Sequence, residues 1–334
     1  MINRFLYFGY YLKQLDKTTF RLFTNFVLQK TNFSKVKLYK EIFFDSIKYN
    51  ISILEYFQFG FYAKDKKEKE LWAGTGYMYE YQKIMNPPKY RHILDDKTLF
   101  YKEYNSFFKH HVMDVEDMKQ DIKGVEKMLE MPKVVLKESK GKCGVGTTFI
   151  DTDKFNAESL IQYMIDNEFD LAETYITQHK DLNRLSPSGV NTVRIFTQLN
   201  EKDEVEILGC RQRISVNSPI DNMAAGNLAA PIDEKTGIIN GPGVYSDITK
   251  SPETIHPITK VPIVGFQIPF WDDILTMTKR AALKHPQNRS IGWDVVVTDY
   301  GPGLIEGNHD WCKLVWQLPV NKGLKTMLKE YEKK

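Results

Sequence analysis

Ile291 to Trp311, IGWDVVVTDYGPGLIEGNHDW, has the makings of a β-hairpin that presents acidic side chains. Val295 to Val297 and Leu304 to Ile305 are β-branched or apolar runs suited to two strands. Asp299-Tyr300-Gly301-Pro302-Gly303 between them has the composition of a tight turn. With the turn centred on Tyr300 to Pro302, antiparallel pairing sets Asp294 opposite Glu306 to Asn308. Side chains alternate faces with period two, so Glu306 and Asn308 share a face and can converge with Asp294. Two carboxylates and an amide oxygen then form one hard-oxygen set. The competing reading is a solvent-facing strand whose acids are simply hydrated, because acids beside turns are common.

Hard oxygen donors with room for water suit Mg²⁺ held jointly by protein and nucleotide phosphates. Two further segments bear on that idea. VVLKESKGKCGVGTTFI, Val134 to Ile150, delivers Lys137 on a short apolar strand and follows it with Gly141, Gly144 and Gly146. Glycines let backbone N–H groups close over phosphate oxygens, and a strand lysine supplies a point charge to the same oxygens. The pattern is neither a Walker A loop nor a dinucleotide fingerprint, and an ordinary hairpin also uses glycine. Cys143 in this loop reads as a small residue in a tight turn. Glu173-Thr174-Tyr175-Ile176 is a strand end leading into Gln178, His179 and Asp181. It suits either an adenine-binding hinge or a strand end that packs in the core.

Composition sets wider bounds. A chain of 334 residues with 42% hydrophobic content can bury a substantial core in two or three subdomains. Cys143, Cys210 and Cys312 are widely spaced and follow no metal-ligand pattern, which points to a reducing compartment. The start, MINRFLYFGYYLKQLDK, lacks an uninterrupted apolar core and a small-residue cleavage site, and nowhere do eighteen apolar residues run together. A cytoplasmic protein is expected. Residues 1–70 hold 13 Lys and Arg against 7 Asp and Glu, so this part is strongly basic although the whole chain carries only +3. It is also dense in aromatics, and reads either as a peripheral face for anionic lipid or glycolipid at the inner face of the membrane, or as a helical cap packed on a core. The basic residues form no recognisable nucleic-acid module, so nucleic acid is not expected as a partner.

Organisation follows from texture. Helical periodicity extends to about Phe61, Lys64 to Glu70 is a charged run, and Asn86-Pro87-Pro88 marks a boundary because proline removes a donor and restricts its predecessor. Strands are expected at Val134 to Leu136, Phe149 to Ile150, Leu171 to Ile176, Thr192 to Leu199 and Val205 to Cys210, with a helix at Ala157 to Asn167. Arg194, Arg211 and Arg213 fall on neighbouring strands, where alternation aims Arg211 and Arg213 to one face. They are candidates for binding a transferring phosphoryl group, or they are surface arginines of an edge strand.

Taken in order, lysine, glycine loop, hinge strand, arginine strands and acidic hairpin resemble the ATP-grasp superfamily, and more narrowly its sugar-transfer-associated branch. The residues carrying the resemblance are Asp96-Lys97; VVLKESKGKCGVGTTF; ETYITQHKDLNRLSPSGVNTVRIFT; IDNMAAGNLAAPID; HPITKVPIVGFQIPFW; and the hairpin already quoted. They span roughly Asp95 to Gln317. The resemblance implies an α+β ATP-grasp fold, two α+β lobes around an ATP cleft, with residues 91–176 as the first lobe and its glycine-rich lid and 177–334 as the second lobe with the metal site; the helical periodicity noted above makes 1–90 a helical N-terminal region ahead of them. It implies Lys97 and Lys137 on the phosphates of ATP, Gly141, Gly144 and Gly146 in the lid, Glu173, Tyr175, Ile176 and Gln178 at the adenine hinge, and Asp294, Glu306 and Asn308 on Mg²⁺. Two positions depart from the pattern. Gly292-Trp293 stands where many ATP-grasp enzymes have an arginine shortly before the first acid, and Asn227 stands where a second glycine after Gly226 is expected.

The implied chemistry is activation of a carboxylate as an acyl phosphate, followed by attack of an amine. A carboxylated sugar or other glycan precursor of a surface polysaccharide, joined to an amine or amino acid, is the expected substrate pair. A kinase with the same ATP site, and a catalytically silent ATP-binding scaffold, are the alternatives. His256 suits either a proton-transfer role or the fixing of a loop. His110 and His111, beside an expected helix, should be exposed.

Overall fold

The computed structural model describes residues 2–140 and 146–332. Four helices open the chain: α1 (Ile2–Lys13), α2 (Lys17–Lys30), α3 (Lys35–Tyr49) and α4 (Ile53–Gln58). Asp16, Ser34 and Ser52 start the last three by accepting hydrogen bonds from first-turn amides, and Ser52 closes a capping box with Glu55. Phe23, Val27, Leu38, Ile42, Tyr56 and Phe57 make a core between these helices. The charged run holds a short exposed helix, α5 (Lys66–Glu70), followed by α6 (Thr75–Met85), α7 (Pro88–Asp95) and α8 (Lys97–Tyr104). The chain breaks between α6 and α7 at Asn86-Pro87, where proline was expected to interrupt it.

A small antiparallel sheet comes next, built from β1 (Val112–Asp114), β2 (Lys133–Lys137), β3 (Thr147–Asp151) and β4 (Leu171–Thr174) in the order β1-β4-β2-β3. Helices α9 (Val115–Gln120), α10 (Ile122–Leu129) and α11 (Ala157–Asp166) cover one face, where Val134, Leu136 and Ala172 pack against Met118, Val125, Met128 and Leu160. Period two then turns Val135 and Lys137 to the opposite face. After α12 (Lys180–Leu185), a larger antiparallel sheet runs β7-β6-β5-β8-β9, formed by β5 (Val193–Leu199), β6 (Val205–Ile214), β7 (Leu228–Ile232), β8 (Ser290–Thr298) and β9 (Gly301–Asn308). The central strands β5 and β8 are buried along their whole length. Helix α13 (Trp271–Ala282) packs on this sheet, and α14 (Lys313–Gln317) and α15 (Lys325–Lys329) close the chain.

Three expected boundaries move. β4 ends at Thr174, leaving Tyr175 and Ile176 outside the strand, and β6 continues to Ile214. The hairpin turn is only Asp299-Tyr300, because Thr298 already pairs with Gly301 and Pro302 lies within β9. A proline is tolerated there because β9 is the edge of the sheet.

The helical region and the large sheet share a core. Met78, Tyr81 and Met85 of α6 pack with Phe196, Leu208, Trp311 and Trp316, and the Tyr81 hydroxyl donates to Gln198 Oε1 at 2.7 Å. The Asn86 amide nitrogen donates to the carbonyls of Ser290 and His309. Glu55, fully buried on α4, accepts from the amides of Ser52 and Thr75, from the Thr75 hydroxyl, and from Lys313 Nζ at 2.9 Å. Removing one partner of such a pair leaves a buried charge uncompensated. Glu55→Ala should therefore cost roughly 3–5 kcal/mol in denaturant unfolding, and replacing Glu55 and Lys313 together by methionine should recover most of that loss.

Candidate active site

Strands β8 and β9 pair Thr298 with Gly301 through Val295 with Leu304, but then Asp294 with Glu306 and Gly292 with Asn308. Ile305 is thus an extra residue, a bulge that shifts the register by one. Unbulged pairing would set Asp294 against Ile305 and turn Glu306 to the other face. The bulge is what brings the two carboxylates together.

Asp294 is the centre of a buried ionic array. Its two oxygens accept from Arg194 Nε at 2.5 Å and Arg194 Nη2 at 2.8 Å, and Oδ2 also accepts from Arg213 Nη1 at 2.9 Å. Arg194 stands directly opposite Asp294 across β5 and β8, which makes this fork-to-carboxylate geometry a product of register. Arg213 Nη2 lies 2.7 Å from Asp221 Oδ1, and Asp221 Oδ2 accepts from the amide and hydroxyl of Thr192. Burial alone would raise the Asp294 carboxyl, but the two guanidiniums overcome it and hold the group well below the usual carboxylate range. Glu306 goes the other way, pushed up by burial and by the negative charge of Asp294. Asn308 Nδ2 donates to Glu306 Oε1 at 3.1 Å. Asp294, Glu306 and Asn308 fit Mg²⁺: they form a hard-oxygen set in which the charge of Asp294 still acts against that of Glu306, a tension that a further cation between them would relieve.

The small sheet supplies the opposing charge. Lys137 Nζ lies 2.6 Å from Glu173 Oε2, and His110 Nε2 is 3.3 Å from the same oxygen, close but off the angle of a hydrogen bond. Lys97, the first residue of α8, donates from Nζ to the Glu138 carbonyl and from its amide to the Ser139 carbonyl. Burial depresses the Lys97 ammonium, and the charges that act on it come from Glu306 in the second lobe and from Lys137, Glu173 and Glu138 in the first. Lys97 therefore stands between the lobes. Gly146 adopts φ +73°, a left-handed conformation that strains residues with a Cβ, so the return of the loop favours glycine. Gly141, Gly144 and Cys143 lie outside the described residues.

Several expected site side chains have commitments elsewhere in the fold. Glu173, placed at the hinge for its backbone, turns its side chain to the small sheet. It is a buried anchor for Lys137 and His110, which outweigh burial and lower its carboxyl to about 2. His110 is therefore enclosed, its side chain 3% exposed, whereas His111 is exposed as expected. Gln178 is spent on its own turn, donating to the Ser186 and Gly189 carbonyls and accepting from the Asn191 amide and side chain. Arg211 shares a face with Arg194 by register, yet its guanidinium donates to the Trp316 and Cys210 carbonyls and ties α14 to the sheet. Tyr175 stays exposed, edge-on to Phe149 at 6.3 Å, with Ile176 half-buried beside it.

His256 fixes a loop: Nδ1 accepts from the amides of Ile258 and Thr259 while Nε2 meets the Ser215 carbonyl at 3.0 Å. Asn227, in place of the expected glycine, accepts from the Val216 amide and donates to the carbonyls of Ile220 and Asn222. It thereby sets the loop that presents Asp221. The sequence reading did not assign Asp221 or Thr192 a part in the ionic array. Their signal was position: Thr192 immediately precedes the arginine strand, and Asp221 is the second residue of IDNMAAGN. The His309 to Asp95 pair at 2.8 Å was also missed, because its partners lie far apart in sequence.

The chain belongs to the sugar-transfer associated ATP-grasp family, whose model matches residues 77–333. Comparison with curated proteins gives no significant match. Solved structures with similar folds include an ATP-grasp ligase, PsnB, complexed with a minimal precursor (10% identity, 74% of this chain, 62% of that one, TM-score 0.45). Another is the D-alanyl-alanine synthetase A of Vibrio cholerae (12% identity, 73% and 62%, TM-score 0.38). A third is the biotin carboxylase domain of the Hydrogenobacter thermophilus 2-oxoglutarate carboxylase with MgADP, ADP and bicarbonate (14% identity, 70% and 46%, TM-score 0.40). The chain spans about half the length of that last protein. ATP and Mg²⁺ are the typical ligands of this fold.

The Glu173 pair has a defined pH signature. Its folded carboxyl sits at about 2 against an ordinary 4.5, so the stabilisation is complete above about pH 4.5 and is lost as pH falls toward 2. Thermal unfolding should show wild type well above Glu173→Gln at neutral pH, with the gap closing through that acid window.

Proposed function

We propose that this protein is an ATP-dependent carboxylate–amine ligase acting on a glycan precursor of the cell envelope or a surface polysaccharide. The observation that carries the reading is the juxtaposition of Asp294, Glu306 and Asn308 with Lys97, which lies under the influence of charges from both lobes. Phosphoryl transfer asks a protein for position and charge rather than for a nucleophile. In this reading Lys97 and Lys137 take the phosphate oxygens, and Tyr175 and Ile176 border the adenine. Asp294, Glu306 and Asn308 would hold Mg²⁺, which supplies charge neutralisation to the phosphates.

Arg194 and Arg213 have two consequences for the chemistry. They keep Asp294 ionised and fixed in orientation, and through Asp221 they fasten the loop that follows Val216 to the ionic array. A carboxylate oxygen of the acceptor attacks the γ-phosphorus and ADP leaves. An amine then attacks the acyl carbon, phosphate leaves, and the amine proton passes to a base or to water. The family's association with sugar transfer supports a carboxylated sugar as acceptor, with an amine or amino acid as the second substrate.

Mg²⁺-dependent ADP formation with a panel of carboxylated sugars and amines tests this directly. ADP release should require both substrates, and the product mass should show loss of water between them. Glu306→Ala should lower turnover by at least about a hundredfold while leaving the thermal transition in place. A stable phosphorylated acceptor formed without amine would replace the ligase with a kinase.

A further inference from the structure

Helix α1, INRFLYFGYYLK, is apolar or aromatic at eight of its twelve positions and contains no acid. A helix that is apolar around its whole circumference belongs inside a core or against lipid. Here Tyr11 is its only buried side chain among those described, and Leu6 is 69% exposed, with Phe5, Tyr10 and Leu12 also outward. The same surface continues onto α3. Phe8 of α1 meets Phe43 edge-on at 5.1 Å, Phe43 meets Phe44 at 5.4 Å, and Phe44 and Val36 are 64% and 65% exposed. Beside them lies a groove of about 470 Å³ lined by Val36, Lys37, Lys40 and Phe44, with Glu41 and Asp45 also on its wall, the first accepting from the Tyr56 hydroxyl and the second paired with Lys69 at 2.7 Å.

Charge gives the occupant. Residues 2–45 contain eight lysines and arginines against three acids, and each acid is engaged: Asp16 caps α2, Glu41 accepts from the Tyr56 hydroxyl and Asp45 pairs with Lys69. Lys35 and Lys37 reach over the rings of Tyr39 and Phe33, placing ammonium groups at the rim of the apolar surface. A protein partner for so apolar a surface needs no such one-sided charge, whereas an anionic bilayer needs both parts: apolar side chains enter the acyl boundary and cations meet the headgroups. Among the described residues no helix is long and apolar enough to cross a membrane. We propose that the exposed face of α1 and α3 docks this protein on an anionic phospholipid surface, lying on it without spanning it. This surface is independent of the nucleotide site, so it stands or falls separately from the ligase reading.

Flotation of the full chain with phosphatidylcholine vesicles, with and without about one third phosphatidylglycerol, at about 0.1 M and 0.5 M salt, provides the test. Binding to the anionic vesicles alone, weakened at high salt, is expected. Leu6→Ser and Phe44→Ser should each lower partitioning roughly tenfold, since each removes an apolar side chain worth more than 1.4 kcal/mol when buried. Lys37→Glu with Lys40→Glu should lower it at least as much. Tyr300→Ser, at the exposed hairpin turn, should leave it unchanged. All five substituted residues are exposed, so unchanged circular dichroism and melting are expected alongside. Absence of wild-type flotation on anionic vesicles at low salt overturns the proposal, as does equal flotation of wild type and the Leu6 and Phe44 variants. Self-association in sedimentation velocity that these substitutions abolish, without vesicle binding, assigns the face to a second copy of the chain instead.

Discussion

The buried carboxylate of Asp294 is the constraint around which the second lobe is built. A lone carboxylate in a sheet interior would take up a proton or unfold its surroundings. Arg194, one strand over and in register, and Arg213, one strand further, make it tenable. Because Arg213 also binds Asp221, the array crosses from β8 through β5 and β6 to the loop beyond, and four elements share one electrostatic solution. Glu306 shares less of this neutralisation: burial and the charge of Asp294 push its carboxyl up, and Arg194 offsets that only in part. The two acids of the hairpin are thus held in opposite electrostatic settings.

Much of the fold was legible because its strands are short apolar, β-branched runs and its glycines fall where the backbone must turn tightly. The lysine strand, the helix that follows it and the central strands of the large sheet lie close to where periodicity placed them. The convergence of Asp294 and Glu306 was also expected, but by a longer turn; the structure reaches the same pairing through a two-residue turn and the extra residue Ile305. Hairpin composition cannot separate these solutions, since both place Gly301 and Pro302 near the bend. Side-chain allegiance was less legible. Arg211 and Arg213 look equivalent in GCRQRIS, yet the first is drawn to carbonyls of its own strand and α14 and the second to two carboxylates. That choice depends on Trp316 and Asp221, which no local pattern joins to those strands.

The helical region poses a similar problem. Its charge and aromatic content admitted either a cap on the core or a surface of its own, and the structure contains both elements in different helices. α4 is bound to the last part of the chain through the Glu55–Lys313 pair, whereas α1 shows much of its apolar surface to solvent. A composition average over seventy residues merges these behaviours.

The bulge at Ile305 makes the hairpin unusually sensitive to chain length. Most substitutions in β9 alter one side chain and leave its neighbours facing as before. Gain or loss of a single residue between the turn and Glu306 would instead exchange the inward and outward sets of every residue beyond it, with the sheet itself able to survive. In such a lineage the site could be silenced by one insertion while every acidic residue remained in the sequence, so an inventory of ligands would count as intact a centre whose members no longer meet.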